Sequence, residues 1–163
     1  MSEPYAYFIT FSTYGSRLHG DQRGSVRRNA IGQPRTTIPE NRRRRTFEFD
    51  ELQHDPVLLS DEQRRETDAE IRRICAYEEW TLHALNVRTN HVHVLVSGSE
   101  SPEAMMLAFK SWTTRRLRSL ALVAPDCRVW TRHGSTRYVW SESAAARVWH
   151  YVVHGQDIQP GAD

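Results

Sequence analysis

The stretch WTLHALNVRTNHVHVLVS, residues 80–97, contains two β-rich segments with a short break between them. Both Trp80–Arg88 and His91–Ser97 are rich in β-branched and aliphatic residues, which favours strands. The Thr89-Asn90 pair between them suits a tight turn. The stretch therefore predicts an antiparallel hairpin, in which alternate side chains of each strand point to opposite faces of the sheet.

A helix is predicted on each side of this hairpin. Ser60 is a suitable N-cap, and the acidic residues that follow it favour a helix over about 60–78. Ser101 and Pro102 begin a second helix, which ends by Pro125. Each segment places its apolar residues on one face, so both helices are expected to pack on the sheet.

Two further strands and a last helix complete the pattern. Tyr5–Tyr14 predicts an opening strand, and Arg128–Trp140 predicts a late strand that bends at Gly134. Ser141–His154 predicts a C-terminal helix that stops at Gly155. The resulting fold class is α+β: a ferredoxin-like βαββαβ antiparallel sheet with an added C-terminal helix.

The length of 163 residues is typical of one domain. The segment at about 19–56 is rich in Gly, Pro and Arg and includes the run Arg42–Arg45. It lacks a clear period, so we expect an Arg-rich loop insertion there, within a single domain over 1–163. The Arg run suits either a mobile phosphate-binding arm or a solubilising loop.

Several classes of protein are disfavoured by composition. No apolar run reaches the length of a membrane span, and the N-terminus lacks the features of a signal peptide. Cys75 and Cys127 are too few for a disulfide framework or a four-cysteine zinc site. We therefore expect a protein of the reducing cytoplasm, with no membrane partner.

The net charge of +2 conceals a strong segregation of charge along the chain. Residues 14–45 carry a net charge of +7, residues 46–80 carry −7, and residues 101–147 carry +5. Of the 22 basic residues, 21 are Arg, which suits bidentate contacts to phosphate. A codon bias would also explain the excess of Arg over Lys, but it would not explain the segregation.

The most informative residues are the two histidines of the second hairpin strand. His91 and His93 are two positions apart, so they share one face while the intervening Val92 points to the other. Two imidazoles on one rigid face suit a divalent metal ion. The alternative is a pair of partly buried histidines that only form hydrogen bonds.

The last helix adds a tyrosine close to its buried face. Tyr151 lies one turn after Val148, His154 follows it by three residues, and Gln156 lies just beyond the helix stop. The hydroxyl of Tyr151 is expected where the sheet and this helix meet. The plainer alternative is an aromatic residue at the rim of the core with a solvated hydroxyl.

Four stretches together resemble the single-tyrosine HUH endonucleases, specifically transposases of the insertion-sequence 200/605 group and their REP-associated tyrosine relatives. The stretches are YFITFSTYGSRLHGD, TNHVHVLVSG, SPEAMMLAFKSWTTRRL, and WTRHGSTRYVW followed by ARVWHYVVHGQ. The resemblance spans most of the chain except about 20–56. Its specificity comes from the order and spacing of the four stretches.

The resemblance implies an enzyme of DNA transposition and recombination. His91 and His93 match the family's ligands for Mg²⁺ or Mn²⁺, and Tyr151 matches its nucleophile, which forms a 5′-phosphotyrosine link and releases a 3′-OH. The family has a third ligand, a Gln four residues after the tyrosine. This chain has Gly155 at that position, so Gln156 is the slightly favoured candidate and His154 the competing one.

The resemblance also implies that the partner is single-stranded DNA that contains a hairpin. It further implies a homodimer in a bacterial-type cytoplasm, associated with the nucleoid during action. The basic residues around the proposed site would follow the DNA backbone. The DNA-binding candidates are Lys110, Arg115, Arg116, Arg118, Arg128, Arg132 and Arg137, with Trp130 or Tyr138 as a ring for stacking on bases. A solvated, charge-balanced helix face is the alternative for any one Arg.

Two other functions remain compatible with the sequence. One is a domesticated, non-catalytic nucleic-acid-binding module of the same fold. The other is a metal-dependent hydrolase that uses the two histidines without Tyr151. A covalent protein–DNA adduct would separate the transposase from both.

Overall fold

The computed structural model describes residues 2–16 and 55–155, together with the backbone of 25–27 and 36–38. The strands are β1 (Ala6–Thr13), β2 (Ser25–Arg27), β3 (Thr36–Ile38), β4 (Thr81–Val87), β5 (His91–Ser97) and β6 (Trp130–Val139). The helices are α1 (Asp61–Tyr77), α2 (Pro102–Ser119) and α3 (Glu142–His154). Setting aside β2 and β3, this order confirms the predicted α+β arrangement with a C-terminal helix.

The main sheet is antiparallel throughout, with the strand order β4-β5-β1-β6. This order is that of the ferredoxin-like βαββαβ fold, because β5 lies between β4, which precedes it in the chain, and the first strand, β1. The two halves of the chain are thus joined at the centre of the sheet, where β1 pairs with both β5 and β6.

The helices begin where the sequence predicts them. The Ser60 side chain accepts a hydrogen bond from the Gln63 backbone, and the Gln63 side chain accepts one in return, which forms a capping box at the start of α1. Ser101 and Ser141 cap α2 and α3 by accepting from a backbone N–H three residues later. These caps satisfy N–H groups that have no partner within the helix.

The larger core lies between the sheet and the pair α1 and α2. Its sheet side consists of Ile9 and Phe11 of β1 and alternate valines of β5, and its helix side includes Ile71 and Phe109. The alternation of buried valines along β5 therefore directs the intervening histidines to the opposite face of the sheet.

A smaller core lies on that opposite face, under α3. Val152 is fully buried there, beside Phe8 of β1 and Leu95 of β5. The Asn86 side chain of β4 donates a hydrogen bond of 2.9 Å to the Val152 carbonyl and fastens the last turn of α3 to the sheet. The end of α3 therefore lies over the strand that carries the histidines.

The predicted bend at Gly134 coincides with an irregularity in the pairing of β1 with β6. A Cβ atom at this position would come within 2.6 Å of the Thr10 carbonyl oxygen and 2.5 Å of the Met106 sulfur. Any larger residue would therefore force the two strands or α2 apart, which explains why glycine suits this position.

The predicted Arg-rich insertion at about 19–56 includes two short strands, β2 and β3. Ser25–Arg27 and Thr36–Ile38 pair as a short antiparallel ladder. Each segment contains β-branched residues, which favour strands, and three-residue strands are too short to show the period that reveals a strand in a sequence. The other residues of the Arg-rich segment up to residue 54, including Arg42–Arg45, lie outside the described residues.

Among the described residues, no helix is both long enough and apolar enough to cross a bilayer.

Candidate active site

The two histidine side chains of β5 meet on the face of the sheet that α3 partly covers. The ring centroids of His91 and His93 are 4.7 Å apart. His93 is buried, with 5% of its surface exposed, whereas His91 is partly open to solvent. The pair therefore forms one compact group of imidazoles, as the two-residue spacing predicts.

Each imidazole is oriented by a polar neighbour at its Nδ1 atom. The Asn90 side-chain oxygen lies 2.7 Å from Nδ1 of His91, and the Thr10 hydroxyl lies 2.8 Å from Nδ1 of His93. Thr10 is in this position because it pairs directly with His93 across β1 and β5. Hydrogen bonds at Nδ1 fix the orientation of an imidazole and direct Nε2 toward a metal ion in many metalloproteins.

Tyr151 of α3 lies directly against His93 of the histidine pair. Its ring centroid is 5.5 Å from that of His93 and 6.2 Å from that of Phe8, both in edge-on arrangements. Tyr151 is 39% exposed, so one side of the ring packs on the sheet and another meets solvent. The structure thus brings together the three residues singled out by sequence, two on β5 and one on α3.

The two candidates for a third metal ligand are placed differently. Gln156 lies outside the described residues. His154 is exposed, and its ring contacts Trp149 and His150 on the outer surface of α3. Within residues 2–16 and 55–155, no three His, Cys, Asp or Glu side chains converge on a common point. The structure therefore does not bring His154 to the β5 histidines.

The Lys110 side chain connects α2 to β6. Its ammonium group donates to the backbone carbonyls of Thr131 and His133, at 2.9 and 3.2 Å, and fastens α2 to β6. Burial lowers the pKa of Lys110, and the nearby Arg128 lowers it further. Two of the three N–H donors of the ammonium group are thus engaged within the protein, and a role of Lys110 in DNA binding stays a prediction.

Trp130 is a core residue. Only 5% of its surface is exposed, its indole N–H donates to the Thr113 hydroxyl at 3.0 Å, and its ring packs edge-on against Phe11. The prediction that this ring stacks on bases is wrong, because no base can reach its face. A strand of alternating polar and aromatic residues does not reveal from sequence which ring is buried.

Four predicted DNA-binding arginines have partners within the protein. Arg116 pairs with Glu66 at 3.2 Å, and Arg118 donates to the Cys127 carbonyl at 3.0 Å. The guanidinium of Arg115 lies over the ring of Trp112, and that of Arg128 lies over the ring of Tyr14. Arg115, Arg118 and Arg128 are nevertheless exposed, so these contacts do not remove them from solvent.

Arg132 and Arg137 of β6 are exposed. Arg137 pairs with Phe8 across β1 and β6, and the ring of Phe8 stacks on His93 at 5.5 Å. Directly paired residues of neighbouring strands point to the same face of a sheet. Arg137 is therefore the predicted arginine that the strand register places on the histidine face.

Sequence reasoning missed three residues that build the site. Thr10 orients His93, Phe8 packs between the sheet and Tyr151, and Asn86 holds the end of α3. The alternation of Phe8 and Thr10 along β1 was visible in the sequence, but their pairing with β5 is a matter of register. Trp140, which sequence reasoning did not single out, stacks on the exposed Tyr138 at 5.8 Å, and the pairing of Tyr138 with Tyr7 places Tyr138 on the face opposite the histidines.

The segment that contains the two histidines of this site matches a known family. A profile of the family described as IS200-like transposase matches residues 54–147. The chain belongs to the IS200-like transposase family. The matched segment includes His91 and His93 and ends before Tyr151, so the family assignment stands independently of the tyrosine.

Two solved structures resemble this IS200-like transposase in fold. A protein from Deinococcus radiodurans R1 described as a candidate transposase is 17% identical, with a TM-score of 0.53, over 95% of this chain and 93% of that one. A REP-associated tyrosine transposase bound to a REP hairpin is 12% identical, with a TM-score of 0.52, over 93% of this chain and 70% of that one. No curated protein sequence matches the chain.

Proposed function

We propose that this IS200-like transposase is a metal-dependent endonuclease and strand transferase for single-stranded DNA, with Tyr151 as its nucleophile. The observation that carries the proposal is the edge-on packing of the Tyr151 ring against His93, which itself contacts His91. A nucleophile and a pair of imidazoles on one partly exposed surface are the groups needed for transesterification of a phosphodiester.

His91 and His93 would hold a divalent ion, Mg²⁺ or Mn²⁺, with Gln156 as the proposed third ligand. The donor set fits such an ion, because both rings lie on the same face of β5 and each has a polar partner at its Nδ1 atom. When bound, the ion would polarise the scissile phosphate and stabilise the negative charge that develops on it.

Tyr151 would carry the covalent step. Its phenolic oxygen attacks the phosphorus, a tyrosine–phosphorus ester forms, and the bond from phosphorus to the 3′ oxygen breaks. The phenolic proton passes to solvent, and the departing 3′ oxygen takes up a proton to become a 3′-OH. The link conserves the energy of the phosphoester, so a 3′-OH can later attack it and restore the free tyrosine.

The DNA is proposed to run along β6 toward Tyr151. Arg137, which the strand register places on the histidine face, would contact phosphate there. The hairpin bound by one structural neighbour supports hairpin-containing DNA as the substrate class. A homodimer acting in the cytoplasm is part of the same proposal.

A covalent-adduct assay tests the proposal. The protein is incubated with Mn²⁺ and a labelled single-stranded hairpin DNA, and the products are separated under denaturing conditions. We expect a labelled adduct from the wild type, none from Tyr151→Phe, and a normal yield from Tyr77→Phe, a control at an exposed tyrosine of α1.

The alternatives give different results in the same assay. Cleavage that persists in Tyr151→Phe would refute the tyrosine mechanism and favour a hydrolase that uses the histidines alone. Binding of the hairpin without an adduct from the wild type, under any of several metal conditions, would favour a non-catalytic module.

A further inference from the structure

A second group of imidazoles lies on the outer surface of α3. His150 and His154 are four residues apart and both exposed, and their ring centroids are 5.5 Å apart. At 100° per residue both project on the side of the helix opposite the buried Val152. This pair is therefore separate from the β5 histidines, which Tyr151 contacts from the inner side of α3.

We infer that His150 and His154 form a binding site for an imidazole-seeking divalent transition metal ion such as Zn²⁺ or Ni²⁺. Histidines at positions i and i+4 of a helix can ligate one ion. For metal–nitrogen distances of roughly 2.0–2.1 Å and angles between about 90° and 120°, two such rings have centroids about 4.5–5.5 Å apart. The observed 5.5 Å lies at the upper end of this range, so small side-chain rotations suffice.

The indole of Trp149 makes the pair more ordered than two solvated side chains would be. Its ring centroid is 5.7 Å from that of His150 and 5.7 Å from that of His154. Contacts to both imidazoles restrict their rotamers, which lowers the entropy lost when they bind an ion together. Water would complete the coordination of the ion at this exposed surface.

An ion bound by His150 and His154 would also stabilise the turn of α3 that contains Tyr151. Tyr151 lies between the two ligands in the chain, within the same helical turn. An ion held by both rings binds only when that turn is helical, so it stabilises the segment that presents Tyr151. This inference concerns metal binding and helix stability, and it holds whether or not Tyr151 forms a covalent link to DNA.

Fluorescence of Trp149 tests the site directly. Ni²⁺ is titrated into the full chain, and we expect quenching of the Trp149 emission, because the indole contacts both ligands. Trp149→Phe should remove the quenched component while calorimetry still detects the ion. Equal concentrations of Mg²⁺ should produce no quenching, since imidazole prefers borderline transition metals.

Matched variants separate this site from any other. His150→Asn and His154→Asn should each weaken the affinity measured by the Trp149 quenching at least tenfold and reduce the rise in melting temperature that Ni²⁺ causes. His133→Asn, at an exposed histidine of β6, should change neither measurement. All three positions are on the surface, so the variants are expected to fold. Unchanged affinity in both α3 variants would overturn the inference, as would an equal loss in His133→Asn.

Discussion

The hydroxyl of Thr10 is the contact through which β1 orients the buried imidazole of His93, and Thr10→Val removes it with little change of shape. The hydroxyl lies 2.8 Å from Nδ1 of His93, a residue with only 5% of its surface exposed. Loss of a partner for a buried polar group costs about 1–3 kcal/mol. We expect Thr10→Val to lower the free energy of unfolding by about 1–2 kcal/mol.

Metal binding should respond more strongly than stability. Loss of a group that orients a metal-ligating histidine typically weakens metal affinity about 10- to 100-fold. Urea unfolding followed by circular dichroism measures the first effect, and calorimetric titration with Mn²⁺ measures the second. The two readouts are independent, so the stability result holds even if His93 proves not to bind a metal ion.

Thr136→Val provides the matched control on the same sheet. The Thr136 hydroxyl donates to the Glu103 carboxylate at 2.8 Å, but this contact is exposed, so water can replace it. We expect a loss of less than about 1 kcal/mol and unchanged Mn²⁺ affinity. Equal effects of the two substitutions on both measurements would show that the Thr10 hydroxyl has no special role in orienting His93.

Three further substitutions test how the site is held together. Gly155→Ala should slow formation of the covalent adduct up to about tenfold. The added Cβ would lie 3.0 Å from Tyr151 Cα and 3.2 Å from the Tyr151 ring, so the ring would have to shift. An unchanged rate would refute this packing argument. Asn86→Ala should cost about 1 kcal/mol of stability and reduce the adduct yield, because it removes the hydrogen bond that joins β4 to the Val152 carbonyl in α3; an unchanged urea midpoint would contradict this. Burial raises the pKa of the Cys75 thiol from 9.0 to about 11, so the folded protein keeps this proton while the unfolded chain loses it. Stability should therefore fall by about 2 kcal/mol between pH 9 and 11, and Cys75→Ala should flatten that decline in pH-dependent urea unfolding.

The limits of sequence reasoning are visible at particular residues of the basic segments. Lys110 and Trp130 were grouped with the DNA-binding candidates because of charge, aromatic character and position in the chain. The structure uses Lys110 to fasten α2 to β6 and buries Trp130 against Phe11. Charge and aromaticity do not distinguish a contact within the protein from one with a ligand. Arg137, by contrast, lies on the histidine face because of its pairing with Phe8.

The sequence by itself determined the local features of this transposase. Capping serines, apolar periods and the alternation along His91–Ser97 placed three helices and four main strands within a few residues of their observed bounds. The same alternation determined that His91 and His93 share a face, since side chains of a strand alternate whatever surrounds them.

Only the tertiary structure decided which face the site uses and what surrounds it. The pairing of β1 with β5 places Thr10 beside His93. The burial of Val152 between α3 and the sheet brings Tyr151 to the same imidazole. These contacts join residues about 58 to 83 positions apart in the chain. Strand register and helix docking set them, and both depend on how the whole core packs, which no local pattern records.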